Sequence, residues 1–183
     1  MPELTNPAPT SLNVASAVKI LLCEFLALHF DGTTKALGEE SAVAWPALPA
    51  DRIVFDQGPN PPGGDLFCRV LLIEKHSAVG KNPGLAGSTG GNLHQDRFLA
   101  LFHLHAAGTA GPAASAEQVS VAAGRLKGLL GNGDAQSQLA NKRVHVVQGS
   151  VRDGGAVEVE EAGRVHLITA QFTTTYRARF LEP

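Results

Sequence analysis

The chain has 183 residues, 44% of them hydrophobic and 17% charged, with a formal net charge of −2. That length suits one domain with a real core, the apolar share excludes a disordered chain, and the charge gives no general reason to expect nucleic-acid binding. The charged share lies below the roughly 25% usual for soluble domains, which points to surface hidden in an assembly.

Residues 1–11 carry three prolines among small polar residues and are expected to form a flexible arm, followed by a single domain over 12–183. From Leu12 or Asn13 the pattern is helical: Val14, Ala17, Val18, Leu21, Leu22, Phe25 and Leu28 make a wide apolar stripe, and Asp31-Gly32 ends it. Lys19, Glu24 and His29 interrupt this run, which is also short for a membrane span. The first residues lack a basic n-region, so no signal peptide is expected. Cys23 and Cys68 lie in apolar runs and read as reduced core residues, with a disulfide between them as the alternative.

Residues 33–50 are mixed in composition, and Trp45-Pro46 and Leu48-Pro49 oppose a continuous helix. Arg52–Phe55 is a short strand candidate closed by the breaker at 57–64. In Asp65–Lys75, Phe67, Leu71 and Ile73 alternate with Leu66, Cys68, Val70 and Leu72, so both faces are apolar. In Gln95–His105, Phe98, Ala100, Phe102 and Leu104 line one face, with Leu99 and Leu101 on the other. Strands apolar on both faces are expected to be covered on both. Between them His76–His94 holds five glycines and reads as a long functional or mobile loop. Its Gly80-Lys81-Asn82 is no nucleotide-binding loop, because no Gly-Lys-Ser/Thr opens a helix there.

Gly108–Pro112 breaks the chain, Ser115 with Gln118 reads as a capping box, and a helix over 113–130 follows. Its stripe is Val119, Ala122, Leu126 and Leu129 or Leu130, with Arg125 off it, and Gly131-Asn132-Gly133 is the stop. Lys142–Gln148 alternates, Arg152–Gly155 is a turn, and Val157–Glu160 alternates valine with glutamate. In the last strand, Arg164–Phe180, residues Ile168, Ala170, Phe172, Tyr176 and Phe180 face the core, and Thr169, Gln171, Thr173, Thr175, Arg177 and Arg179 face water. The order helix, strand, strand, long loop, strand, helix, strand, strand predicts an α+β fold, a mainly antiparallel sheet with two helices packed on it.

His103 and His105 are two apart on a strand, so their rings leave one face, a spacing metal sites use. A site would need further ligands, for which His145 or His166 are the candidates; otherwise the pair is simply the strand's polar end. The acid pairs Glu39-Glu40 and Glu160-Glu161 adjoin turns and read as solvated charge. No Gly-x-Ser-x-Gly, His-Glu-x-x-His or Cys-x-x-Cys occurs, so no catalytic, cofactor-binding or metal-binding residue is assigned. The alternation of Arg177 and Arg179 with threonines gives a basic, hydroxyl-rich face, either plain solvent side or a docking surface for an acidic partner.

The arrangement resembles the tail terminator proteins of long-tailed bacteriophages. The features that carry this are the opening helix Val14–Phe30, the strand Leu66-Phe67-Cys68-Arg69-Val70, the glycine-rich excursion, and Arg97-Phe98-Leu99-Ala100-Leu101 leading into a small-residue turn and the helix 113–130. The closing strand, ending Gln171-Phe172-Thr173-Thr174-Thr175-Tyr176-Arg177-Ala178-Arg179-Phe180, completes it. The resemblance implies a non-enzymatic virion protein without cofactor, forming a homo-oligomeric ring, commonly a hexamer. Such a ring caps the tail tube and joins it to the head. Its partners would be further copies, the tail tube protein and a head–tail connector protein. Genomic DNA would only pass through the lumen, and no membrane is involved. The ring would assemble in the host cytoplasm and sit at the head-proximal end of the tail. Lys81 and His94 near the base of the loop, together with Arg177 and Arg179, are the candidate interaction residues. A neighbouring connector or tail-completion protein of the same virion is one alternative; a metal-dependent hydrolase using His103 and His105 is another, from a different class.

Overall fold

The computed structural model describes residues 3–10, 13–32, 47–56, 58–61, 66–79, 93–106, 112–159 and 163–177. Its elements are α1 (Val14–His29), a 3₁₀ turn (Ala50–Arg52), β1 (Ile53–Phe55), β2 (Leu66–Val79), β3 (Leu93–Ala106), α2 (Pro112–Gly131), α3 (Gly133–Asn141), β4 (Val144–Val146), β5 (Arg152–Val159) and β6 (Gly163–Arg177). The fold is α+β. One sheet runs β1-β2-β3-β6-β4, with β5 on the same edge of β6 as β4; β1 pairs with β2 in parallel, and every other pairing is antiparallel.

The long strands β2, β3 and β6 form the centre, and the period of two sorts their residues onto two unlike faces. On one, Cys68, Val70, Phe98, Ala100, Phe102, Leu104, Ile168, Ala170 and Phe172 are almost wholly buried. Over them lie Val18, Leu21, Leu22, Phe25 and Leu26 of α1 and Val119, Ala122, Ala123, Leu126 and Leu130 of α2, all within one core. Phe102 and Phe172 meet edge to face at 6.4 Å between centroids, and burying each such side chain contributes about 1.5–3 kcal/mol. Leu28, expected on the stripe of α1, is only half-buried, and Leu26 takes its place.

Among the described residues, helices cover only one of the two faces for which the apolar alternation leads one to expect cover. The core contains none of Leu71, Ile73, Leu99, Leu101 or Leu167, which lie on the opposite face and stay half-buried or exposed. Three further expectations are corrected. The two helices are three, because the Asn132 side chain accepts hydrogen bonds from the backbone N–H groups of Asp134 (2.8 Å) and Ala135 (3.1 Å) and so caps α3 where a stop was expected. The second helix begins at Pro112, ahead of the expected cap at Ser115, since proline's fixed φ suits a first helical position. Arg152–Gly155 is not a turn but the start of β5, carrying a bulge between Asp153 and Gly155. Strand pairing also extends into the supposed loop His76–His94, to Val79 on one side and from Leu93 on the other; its glycine-rich middle lies outside the described residues.

Residues 3–10 have neither helix nor strand, yet they are docked rather than loose. Leu4 is buried in the core, and the Glu24 carboxylate of α1 accepts from Thr5 N (2.5 Å), Thr5 Oγ1 (2.6 Å), Asn6 N (3.1 Å) and Asn6 Nδ2 (2.8 Å). At the other end of α1 the His29 carbonyl accepts from Arg125 Nε (2.8 Å) and Nη2, and the guanidinium lies 5.6 Å from the Phe30 ring centre. This satisfies a helix-end carbonyl and places a cation at the negative pole of the helix. His29 Nε2 also meets Gln138 Oε1 of α3 at 2.9 Å. Arg125, read from the sequence as lying off the packed stripe, is thus the residue that joins α2 to α1.

Leu126→Ala should cost about 2–5 kcal/mol as a large-to-small core change. Arg125→Ala should cost about 1–3 kcal/mol, well above a solvated exchange, because it strips charged donors from a half-buried carbonyl; chemical denaturation of both variants checks this. Glu24 supplies a pH dependence. Burial alone would raise its pKa, but the bonds from Thr5 and Asn6 outweigh this and hold it at about 2. A carboxylate lowered on folding stabilises above its unfolded value, about 4.3, and that stability is lost as pH falls toward 2. Glu24→Gln should therefore flatten the stability profile between about pH 4.3 and 2, measured by denaturation at a series of pH values.

Candidate interaction surfaces

The face of the sheet away from the helices is built in rows that cross the strands. From one end they read Lys75–Arg97–Thr173–His145, then Ile73–Leu99–Gln171, then Leu71–Leu101–Thr169–Arg152, then Arg69–His103–Leu167–Gly155, and last Phe67–His105–Val165–Val157. Ile73 is 47% exposed and Val157 63% exposed, the largest openings for apolar residues among those described on this face. Its middle is aliphatic and its ends are basic or aromatic.

The β5 bulge sets this composition. Gly154 is the extra residue, so Val157 pairs with Val165 on the open face and Glu158 pairs with Arg164 on the helix side. Were Gly154 paired in regular register instead of bulged out, the phase would reverse and Glu158 would turn onto the open face. Glycine suits the site twice: a Cβ on Gly154 would crowd the Leu167 side chain at 3.1 Å, and Gly155 has φ +79°, a conformation that favours glycine.

His103 and His105 do leave this face together, their ring centres 6.3 Å apart, and His105 stacks on Phe67 at 4.5 Å and 6°. Burial first, then the His103 ring and the Arg69 cation, lower the His105 pKa to about 4; burial and then Arg69 lower that of His103. Both are neutral imidazoles near neutral pH. Neither ring nitrogen of His105 has a hydrogen-bond partner. The two ligands considered for them do not converge. His166 lies on the helix side, its Nε2 2.7 Å from Asp153 Oδ1. His145 pairs with Thr173, six positions beyond the Leu167 that neighbours His103, roughly 20 Å along the strand. Among the described residues no three His, Cys, Asp or Glu side chains group as a metal site.

Of the four interaction candidates, Lys81 and Arg179 lie outside the described residues. His94 and Arg177 are placed by backbone alone: His94 pairs with Val79 and Tyr176, and Arg177 with Leu93, all at the Lys75–Arg97 end of the sheet. On the helix side of that end sit Asp96, 3% exposed, and Tyr176. Burial, a hydrogen bond to Asp96 and the charges of Asp96 and Glu74 push the Tyr176 pKa up to about 12. Lys75 and Arg97 are exposed on the other side. Neither was singled out as an interaction residue from the sequence, because only the strand register sets them opposite one another.

A second surface lies at the β1 edge, where α1 and β1 bound a groove of about 700 Å³ lined by Ile20, Cys23, Ala27, Leu28, Ile53 and Phe55, with Lys19, Asn6 and Glu24 among its polar neighbours. Ile20 is 51% exposed there. Lys19 forms an ion pair with Asp56. Both cysteines are free, Cys23 half-buried in this groove and Cys68 in the core, and burial raises both thiol pKa values, so neither is an activated nucleophile. No helix among the described residues is long and apolar enough to cross a membrane.

A histidine whose pKa is lowered on folding costs stability when the unfolded chain takes up its proton first. Stability from His105 is full above about pH 6.5 and falls as pH drops toward 4. His105→Leu should make the profile flatter across that window, as read from melting temperatures at successive pH values.

The sequence matches no protein-family model and no curated protein.

Proposed function

We propose that this chain is a structural ring subunit of the tail terminator type, which caps a phage tail tube and provides the surface that joins head to tail. The observation that carries the reading is the pair of unlike, unmatched edges of the sheet. Among the described residues, β1 at one edge pairs only with β2, beside the apolar groove and the exposed Ile20, and β5 at the other pairs only with β6 and exposes Val157. Two different edges on one chain favour a head-to-tail contact, and repeated head-to-tail contacts close into a ring when the rotation between neighbouring copies divides the full circle. The low charged share and the absence of a convergent catalytic set among the described residues support a scaffold role. The element order on which the resemblance rests, from α1 through the central strands to β6, supports it as well.

Purified protein should have the mass of a closed oligomer in light scattering, with ring-shaped particles in negative stain that seat on the ends of tail tubes. Ile20→Asp and Val157→Asp should each lower that mass while leaving circular dichroism unchanged. A monomer at all concentrations, with no binding to tube ends, would refute the reading.

A further inference from the structure

Alternation along the central strands separates charge by face. Glu74 and Asp96 point to the helix side, while their sequence neighbours Lys75 and Arg97 point to the open side. Lys75 and Arg97 are direct cross-strand partners, which brings their Cβ atoms to about 4.5–5.5 Å and sets like charges against each other at a cost to the sheet. Among the described residues neither is in an ion pair. Across the open face, Arg69, Lys75, Arg97 and Arg152 are present and no described Asp or Glu is, although the chain has 17 acidic residues and a net charge of −2. Between these cations lie Leu71, Ile73, Leu99, Leu101 and Leu167.

We infer that the open face of the sheet docks an acidic protein surface, one with an apolar centre bordered by carboxylates. Charge complementarity identifies the occupant. A carboxylate beside Lys75 and Arg97 would relieve their mutual repulsion, and an apolar centre would cover the leucines. A second copy of this face cannot serve, because it would bring the same four cations against them. A single-stranded nucleic acid needs aromatic platforms for its bases, and the one described phenylalanine on this face, Phe67, is 5% exposed and already stacked on His105. The assignment does not rest on the ring, whose contacts are placed at the groove beside β1 and along the β5 edge; Val157 borders both that edge and this face, whereas Lys75, Arg97 and Leu99 lie on the face alone.

The test uses the full chain and a labelled helical peptide with a leucine stripe bordered by glutamates, its counterpart bordered by lysines, and a labelled oligo-dT. The glutamate peptide should bind, the lysine peptide should not, and raising salt from about 0.05 M to about 0.5 M should weaken binding. Lys75→Glu/Arg97→Glu should weaken it about tenfold or more, and Leu99→Asp should do likewise, while Glu117→Gln on α2 leaves it unchanged. Because Lys75 and Arg97 are exposed, the double variant should keep its circular dichroism and its oligomeric mass. Failure of the glutamate peptide to bind, equal binding of the lysine peptide, tighter binding of oligo-dT, or indifference to the double variant would overturn the assignment. A change of oligomeric mass in the double variant would overturn it too, since the face would then belong to a subunit contact.

Discussion

The constraint on which the rest of the structure depends is that the helices must bury one face of the β2–β3–β6 sheet. Phe98 pairs with Phe172 across β3 and β6, Ala100 pairs with Ala170 beside them, and Phe102 lies two positions further along β3; the apolar stripes of α1 and α2 share one buried core with all five. The side chains of this layer are nearly all below 2% exposure, and at that density the helices have little freedom to choose the other face. Everything that distinguishes the two surfaces follows from this one-sided packing.

Polar contacts then fix how the helix layer sits. The end of α1 offers a carbonyl at His29 that its own helix cannot satisfy, and Arg125 reaches it from α2 while Gln138 of α3 holds the His29 ring. Lys127 of α2 lies 3.6 Å from Asp153 of β5, which also holds His166, tying the helix layer to the far edge of the sheet. The arm is held in the same manner: Glu24 collects four donors from Thr5 and Asn6, and Leu4 enters the core. Hydrophobic burial chooses the face, and a few directional contacts choose the register.

With the helices on one side, the other side of the sheet is left with leucines, cations and hydroxyls, and the bulge at Gly154 keeps Glu158 away from it. A half-buried aliphatic centre with one basic end and one aromatic end is the kind of surface that suits association. The edges tell a similar story from different residues, Ile20 beside β1 and Val157 on β5. An assembly protein that must hold its own copies and a further partner needs separate surfaces for the two tasks, and the proposals for ring and acidic partner assign them to edges and face respectively.

The local periodicities of this chain were enough to determine its class and most of its parts. The stripe of α1, the stripe of α2, the three long strands and the inward set Ile168, Ala170 and Phe172 all follow from spacing, because side chains project from a helix or strand by backbone geometry alone. Helix α3 was within reach too, since Asn132 followed by Asp134 is a capping pattern, but the flanking glycines read more strongly as a stop. What spacing could not decide is which of two apolar faces is covered. Leu99 and Leu101 look as core-like as Ala100 and Phe102, and only the number of helices and where they pack leaves the leucines outside. The role of Arg125, the docking of the arm, and the meeting of Lys75 with Arg97 likewise join residues 96, 19 and 22 positions apart. Such contacts depend on strand register and helix placement, which are properties of the whole packed layer, and no local stretch of sequence carries them.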